Sequence, residues 1–191
     1  MAGEVAASRS NVTLRPCRGA EEYPHLVEVW RSAVIATHHF HEPEHVAFHE
    51  ANMATDYLPG VEVTVAELDG TAVGFSGTTT GFLAMLFVDD TRHGQGIGSA
   101  LLLNALARYP DLHLDVNEQN PQAVGFYLRH GFRVVGRSPV DDAGDPFPLL
   151  HLAYQPESTG NSGGHCMSMT YGSVTGVAKP VSRLVQGTMP L

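Results

Sequence analysis

Gly94, Gly96 and Gly98 alternate directly after an apolar run, Leu83 to Val88, and ahead of a segment with helical periodicity from Ser99 to Arg108. A strand that ends in such a turn and opens a helix offers a row of main-chain N–H groups to an anion, and the positive end of the helix dipole reinforces them. A phosphate group fits that row. The same glycines also serve as a plain tight connection between strand and helix. Other glycine loops differ in spacing: G-x-G-x-x-G would need glycine at Ser99 or Leu101, and a Walker loop needs Gly-Lys-Ser/Thr. Neither is present.

A second constellation runs from Asn120 through Ala123, Phe126 and Tyr127 to Gly131 and Phe132. Seven residues of α-helix turn through about 700° and rise roughly 10 Å, so Asn120, Ala123 and Tyr127 share one face. Asn120 before Pro121 is a cap ahead of a first-turn proline, and Gly131 suits the helix end. Tyr127 and Phe126 can equally be core aromatics. A third set, His41, His45 and His49, repeats every four residues, a spacing that can hold a metal. Pro43 and the absence of an acidic third-ligand pattern argue against one, and no metal is expected; a polar face or a substrate-pocket wall are the other readings.

The elements that must position these groups follow from periodicity. Val12 to Cys17 reads as a strand and Glu21 to Ile35 as a helix, with a second short helix carrying Val46, Met53, Tyr57 and Leu58 up to Pro59-Gly60. Val61 to Leu68 and Ala72 to Thr78 form a hairpin about Asp69-Gly70. Leu83 to Val88 is apolar on both faces, as a central strand is. Leu112 to Val116, Phe132 to Arg137 and Leu149 to Tyr154 are further strands. Residues 1–10 read as an extension, 11–155 as one domain, and 156–191, opening with the Gly/Ser-rich stretch Ser158 to Gly164, as a flexible, mostly unpacked tail.

Composition narrows the function. A net charge of -9, with Lys179 the single lysine among eleven basic residues, disfavours a nucleic-acid groove and favours a cationic partner. No apolar run approaches the roughly 20 residues that cross a bilayer, and the first ten residues carry no secretion signal, so a cytoplasmic protein without membrane partners is expected. Cys17 and Cys166 lie far apart, outside any metal or redox spacing, and read as free thiols.

Phe87-Val88-Asp89 through His93-Gly94-Gln95-Gly96-Ile97-Gly98-Ser99, followed at the family's distance by Asn120 to Phe132, resembles the GNAT family of acyl-CoA N-acyltransferases. Ala36-Thr37-His38, Asn117-Glu-Gln-Asn120, and Gly136-Arg137-Ser138 with Asp141-Asp142 are similar to its bacterial YjaB-type acetyltransferases. The resemblance implies an α/β fold with a mixed sheet of about seven strands, splayed between the fourth and fifth, and about four flanking helices. It implies acetyl-CoA as co-substrate, with pyrophosphate on the amides of His93, Gly94, Gln95, Gly96, Ile97, Gly98 and Ser99. Pantetheine would lie along Met85, Leu86, Phe87 and Val88, with Asn117, Asn120 and Ala123 contacting the coenzyme. Tyr127 would face the thioester sulfur. The acceptor would be an amine, protein lysine included; a homodimer stays open.

Apolar residues fill Phe82 to Met85, where relatives often carry polar ones, so the general base is unassigned. Freeing the lone pair of an amine of pKa near 10.4 at pH 7 costs about 4.6 kcal/mol. His38 is the first candidate to lower that cost, with Asp115 and Glu118 behind it. A strand amide near Leu86 or Phe87 would meet the carbonyl oxygen, and the Tyr127 phenol would protonate the leaving thiolate. A non-catalytic acyl-CoA sensor is the alternative. The segment Tyr171 to Met189 resembles the opening strand of aldo-keto reductases and reads as a fusion or gene-boundary remnant, without reductase activity.

Overall fold

Asp69 and Gly70 take φ of 51° and 81°, the left-handed pair that a two-residue hairpin turn requires. They join β2 (Glu62–Leu68) to β3 (Thr71–Thr79), as the alternation of those segments predicts. The computed structural model describes residues 12–37, 43–141 and 144–155. Around the hairpin stand β1 (Val12–Pro16), α1 (Tyr23–Thr37), α2 (Pro43–Asn52), β4 (Phe82–Val88), α3 (Ile97–Arg108), β5 (His113–Asn117), α4 (Pro121–Arg129), β6 (Phe132–Ser138) and β7 (Leu149–Tyr154). His38, His41, Cys166 and the tail from 156 onward lie outside the described residues.

The seven strands form one sheet in the order β1-β2-β3-β4-β5-β7-β6. Every neighbouring pair is antiparallel except β4 and β5. These two run parallel and pair only at Phe82 and His113, where the His113 amide donates to Gly81 O at 2.9 Å. Beyond that point β5 pairs with β7 alone, from His113 opposite Ala153 to Asn117 opposite Leu149. The sheet therefore opens into a wedge along the rest of β4, the splay that the family resemblance implies.

Each face of the sheet has its own core. Leu86 and Val88 of β4 pack with Leu101, Leu102 and Ala105 of α3 and Ala123, Phe126 and Tyr127 of α4. Met85 and Phe87 point the other way, to Leu26, Trp30 and Val34 of α1. A strand buried on both faces reads as a continuous apolar run for this reason.

Two boundaries differ from the periodicity. The second helix does not run straight to Pro59-Gly60; after Asn52 it widens into a π-turn, Met53–Tyr57, and tightens into a 3₁₀ turn, Leu58–Gly60. Met53, Tyr57 and Leu58 are all buried by that change of pitch. The third helix starts at Ile97, two residues before the predicted Ser99, because Gly96 supplies a left-handed cap at φ 77° and Ile97 is fully buried beneath the turn.

Candidate functional site

The wedge exposes main-chain groups of β4 that have no strand to bond. Asp89 N donates to Val73 O at 2.9 Å, so strand alternation turns Phe87 and Met85 toward β3 and the N–H and C=O of Leu86 and Val88 toward the gap. Of the two predicted strand amides, Leu86 is the one that faces the wedge. Met85 and Phe87 contribute side-chain packing on the α1 side instead.

At the end of β4 the chain passes through a 3₁₀ turn, Asp90–Arg92, stapled by Asp89 Oδ1, which accepts from Thr91 N at 2.9 Å. Gly94 and Gly96 then take φ of 75° and 77°, which only glycine adopts without strain. The first bond of α3 runs from Ala100 N to Gly96 O at 3.0 Å. The amides of Ile97, Gly98 and Ser99 precede it and lack intrahelical partners, so they form the anion-facing end of the helix. His93 belongs to this row less than predicted. Its amide donates to Asp90 O at 3.3 Å, and its ring nitrogens lie 3.3 Å from Val88 O and from Asp90 Oδ1. It braces the turn. The open row runs from Gly94 through Gln95 and Gly96 to Ser99.

Across the wedge, β5 leads into α4, and two asparagines sit at the junction. Asn117 Oδ1 accepts from Gln119 N at 2.8 Å, and Asn120 Oδ1 accepts from Ala123 N at 3.0 Å, capping α4 as predicted. Both are almost wholly buried, and the Nδ2 of each has no hydrogen-bond partner among the described residues. An unmet buried donor costs about 1–3 kcal/mol. Two such donors at one strand-to-helix junction are what a site for an acceptor-rich ligand leaves open, and this donor set fits the amide and phosphate oxygens of coenzyme A. Ala123 and Tyr127 follow on the same helix, both fully buried. The Tyr127 ring packs edge-on to Phe126 and Phe132, with centroids 5.2 and 5.6 Å away. Both readings of Tyr127, core aromatic and site phenol, are thus compatible with its position.

Sequence reasoning missed a clasp between the two helices. His130, at the end of α4, has Nδ1 2.8 Å from Phe126 O and Nε2 3.0 Å from Ser99 Oγ. A carbonyl can only accept, so Nδ1 carries a proton, and Nε2 shares its hydrogen bond with the Ser99 hydroxyl. Nothing local marks His130, because its partner lies 31 residues away.

Among the candidate bases, Glu118 is bound by Arg137 through contacts of 2.7 to 3.1 Å, and that hydrogen bonding holds its carboxyl below the ordinary range. Asp115 is buried on β5, one strand from the gap, with Oδ1 2.6 Å from Nδ1 of His151. His49 lies with Nδ1 3.3 Å from the Tyr57 hydroxyl. Among the described residues no group of three or more His, Cys, Asp or Glu is placed to hold a metal ion, and no helix is long and apolar enough to cross a membrane.

A mixed sheet split between its fourth and fifth strands, with a glycine turn at the end of one and a capped helix after the other, defines an acyl-CoA N-acyltransferase architecture. Residues 33–147 match the acetyltransferase (GNAT) domain, and the chain belongs to that family. It is 46% identical over 135 residues to the peptidyl-lysine N-acetyltransferase YjaB of Salmonella typhimurium, covering 70% of this chain and 92% of that protein. The solution structure of apo-form YjaB from Escherichia coli superposes with a TM-score of 0.70 at 41% identity, over 76% of this chain and 98% of that one. The fold is shared as well with the PaiA N-acetyltransferase of Thermoplasma acidophilum, solved with coenzyme A: TM-score 0.59, 20% identity, over 75% of this chain and 99% of that one.

Proposed function

We propose that this chain transfers the acetyl group of acetyl-CoA to a primary amine, with peptidyl lysine as the acceptor class, by direct attack in a ternary complex. One observation carries the reading. The wedge beside Leu86 is flanked by the open amides of the glycine turn on one side and, on the other, by two buried asparagine donors without partners among the described residues. Likeness to peptidyl-lysine acetyltransferases supports the acceptor class, and the net charge of -9 favours a cationic one.

When bound, acetyl-CoA supplies an activated acetyl thioester. The amides from Gly94 to Ser99 hold its diphosphate, and the Nδ2 groups of Asn117 and Asn120 hold oxygens nearer the thioester. Leu86 N–H donates to the carbonyl oxygen as that atom gains charge. Tyr127 gives its phenolic proton to the departing sulfur. Asp115, a buried carboxylate on β5, takes the proton of the incoming ammonium; His38 lies outside the described residues. Incubation of the chain with acetyl-CoA and a panel of lysine peptides, polyamines and amino sugars, read by mass spectrometry, tests the reading. A 42-dalton gain, about the mass of an acetyl group in place of hydrogen, on lysine peptides is expected. Tight coenzyme binding with no acetylated product would favour the sensor instead.

A further inference from the structure

Three side chains from three strands meet on the sheet face opposite α3 and α4. Asp115 of β5 and His151 of β7 are directly paired across the ladder, and His151 Nδ1 lies 2.6 Å from Asp115 Oδ1. On the far side of the ring, Nε2 lies 2.8 Å from Ser138 Oγ of β6. The fold makes room for this ring. β6 shifts register between Val134 and Gly136, which sets Gly136 opposite His151, and a Cβ at Gly136 would stand 3.1 Å from His151 Cδ2.

The chemistry of the contacts fixes the proton on Nδ1. A carboxylate only accepts, so Nδ1 donates to Asp115, while Nε2 shares its hydrogen bond with the Ser138 hydroxyl. The order Asp–His–Ser is that of a hydrolase triad, yet the distances exclude a nucleophilic serine. Ser138 is three strands from β4, at least about 14 Å away at the usual strand spacing. Asp115 is one strand from the gap. Burial follows the same order, with the Asp115 side chain 7% exposed and that of His151 31%. The groups that act on the wedge must therefore work through Asp115.

We propose that His151, seated on Gly136 and fixed by Ser138, is a positioning residue that orients Asp115 as proton acceptor for the incoming ammonium. The inference rests on the acetyltransferase reading above. Of the two protons that the ammonium loses, one passes to Asp115 and on to solvent. The other replaces the proton that Tyr127 gives to sulfur, as the C–N bond forms and the C–S bond breaks. The other titratable side chains at this face are His113 on β5 and Arg133 on β6, which stands opposite Ala153. β4 presents Met85 and Phe87 here, and β7 presents Leu149 and Ala153, none of them titratable.

The test is the steady-state kinetics of lysine-peptide acetylation by the full chain and by His151→Ala, His151→Asn and Ser138→Ala, with folding checked by circular dichroism. His151→Ala should lower kcat about tenfold, with KM for acetyl-CoA unchanged. His151→Asn keeps an N–H at the position of Nδ1 and should recover most of kcat; Ser138→Ala should lose about two- to fivefold. A folded His151→Ala with the parent's kcat overturns the positioning role, and so does equal loss in the Ala and Asn variants. A parent that acetylates no amine overturns the acetyltransferase reading and this inference with it.

Discussion

Asn120 performs two tasks that substitution can separate. Its Oδ1 caps α4 by accepting from Ala123 N at 3.0 Å, while its buried Nδ2 has no partner among the described residues. Serine keeps a capping oxygen and lacks the amide donor, so Asn120→Ser should leave stability within about 0.5 kcal/mol of the parent. Alanine removes both groups. Asn120→Ala should cost up to about 1 kcal/mol, or about 2–4 °C in melting temperature for a domain of this size. If Nδ2 donates to coenzyme A, both variants lose the same bond on the ligand side. A buried donor that finds its acceptor only on binding contributes about 1–3 kcal/mol, so affinity should fall by about 5- to 150-fold in each. Calorimetric titration with coenzyme A and thermal unfolding by circular dichroism read the two quantities independently. Parent-like affinity in Asn120→Ser would remove Asn120 from the coenzyme site and leave it a cap alone.

Tyr127→Phe preserves the edge-on packing against Phe126 and Phe132 and deletes only the hydroxyl. Turnover should drop at least about tenfold with little change in acetyl-CoA affinity; unchanged turnover in a steady-state thiol-release assay removes the phenol from the mechanism. At Gly96, φ is 77°, and a side chain there strains the backbone by about 1–2 kcal/mol. Gly96→Ala should lower both the melting temperature and coenzyme affinity, and a titration matching the parent would show that the turn holds no diphosphate. Glu22 provides a pH test of stability. Its carboxyl is held at about 2, against an ordinary 4.5, chiefly by the Arg15 hydrogen bond, with burial opposing. A lowered folded pKa contributes stability above the unfolded value, and the contribution is lost as pH falls through the folded one. Glu22→Gln should therefore destabilise the chain by about 1–2 kcal/mol at pH 7, after allowance for solvent screening. In urea titrations the difference from the parent should shrink between about pH 4.5 and about pH 2; a constant difference would refute the assignment.

Features that depend on neighbours in the chain were legible in the sequence. The hairpin at Asp69-Gly70, the glycine cap of α3, the Asn120-Pro121 start of α4 and the two-sided apolar character of β4 each follow from a few adjacent residues, because turn dihedrals, capping bonds and periodicity are local. The widened turn at Met53–Tyr57 was not legible, since its apolar residues also fit a regular helix. Strand periodicity says which face a side chain takes but not which strand lies beside it. Asp115 and His151 are 36 residues apart, and His151 and Ser138 13 apart. Their meeting depends on the β5–β7–β6 order and on the bulge that brings Gly136 under the ring. The same holds for Ser99 and His130 and for the gap beside Leu86. Local sequence determined the pieces of the candidate site; only the packing of the sheet decided which polar groups face one another across it.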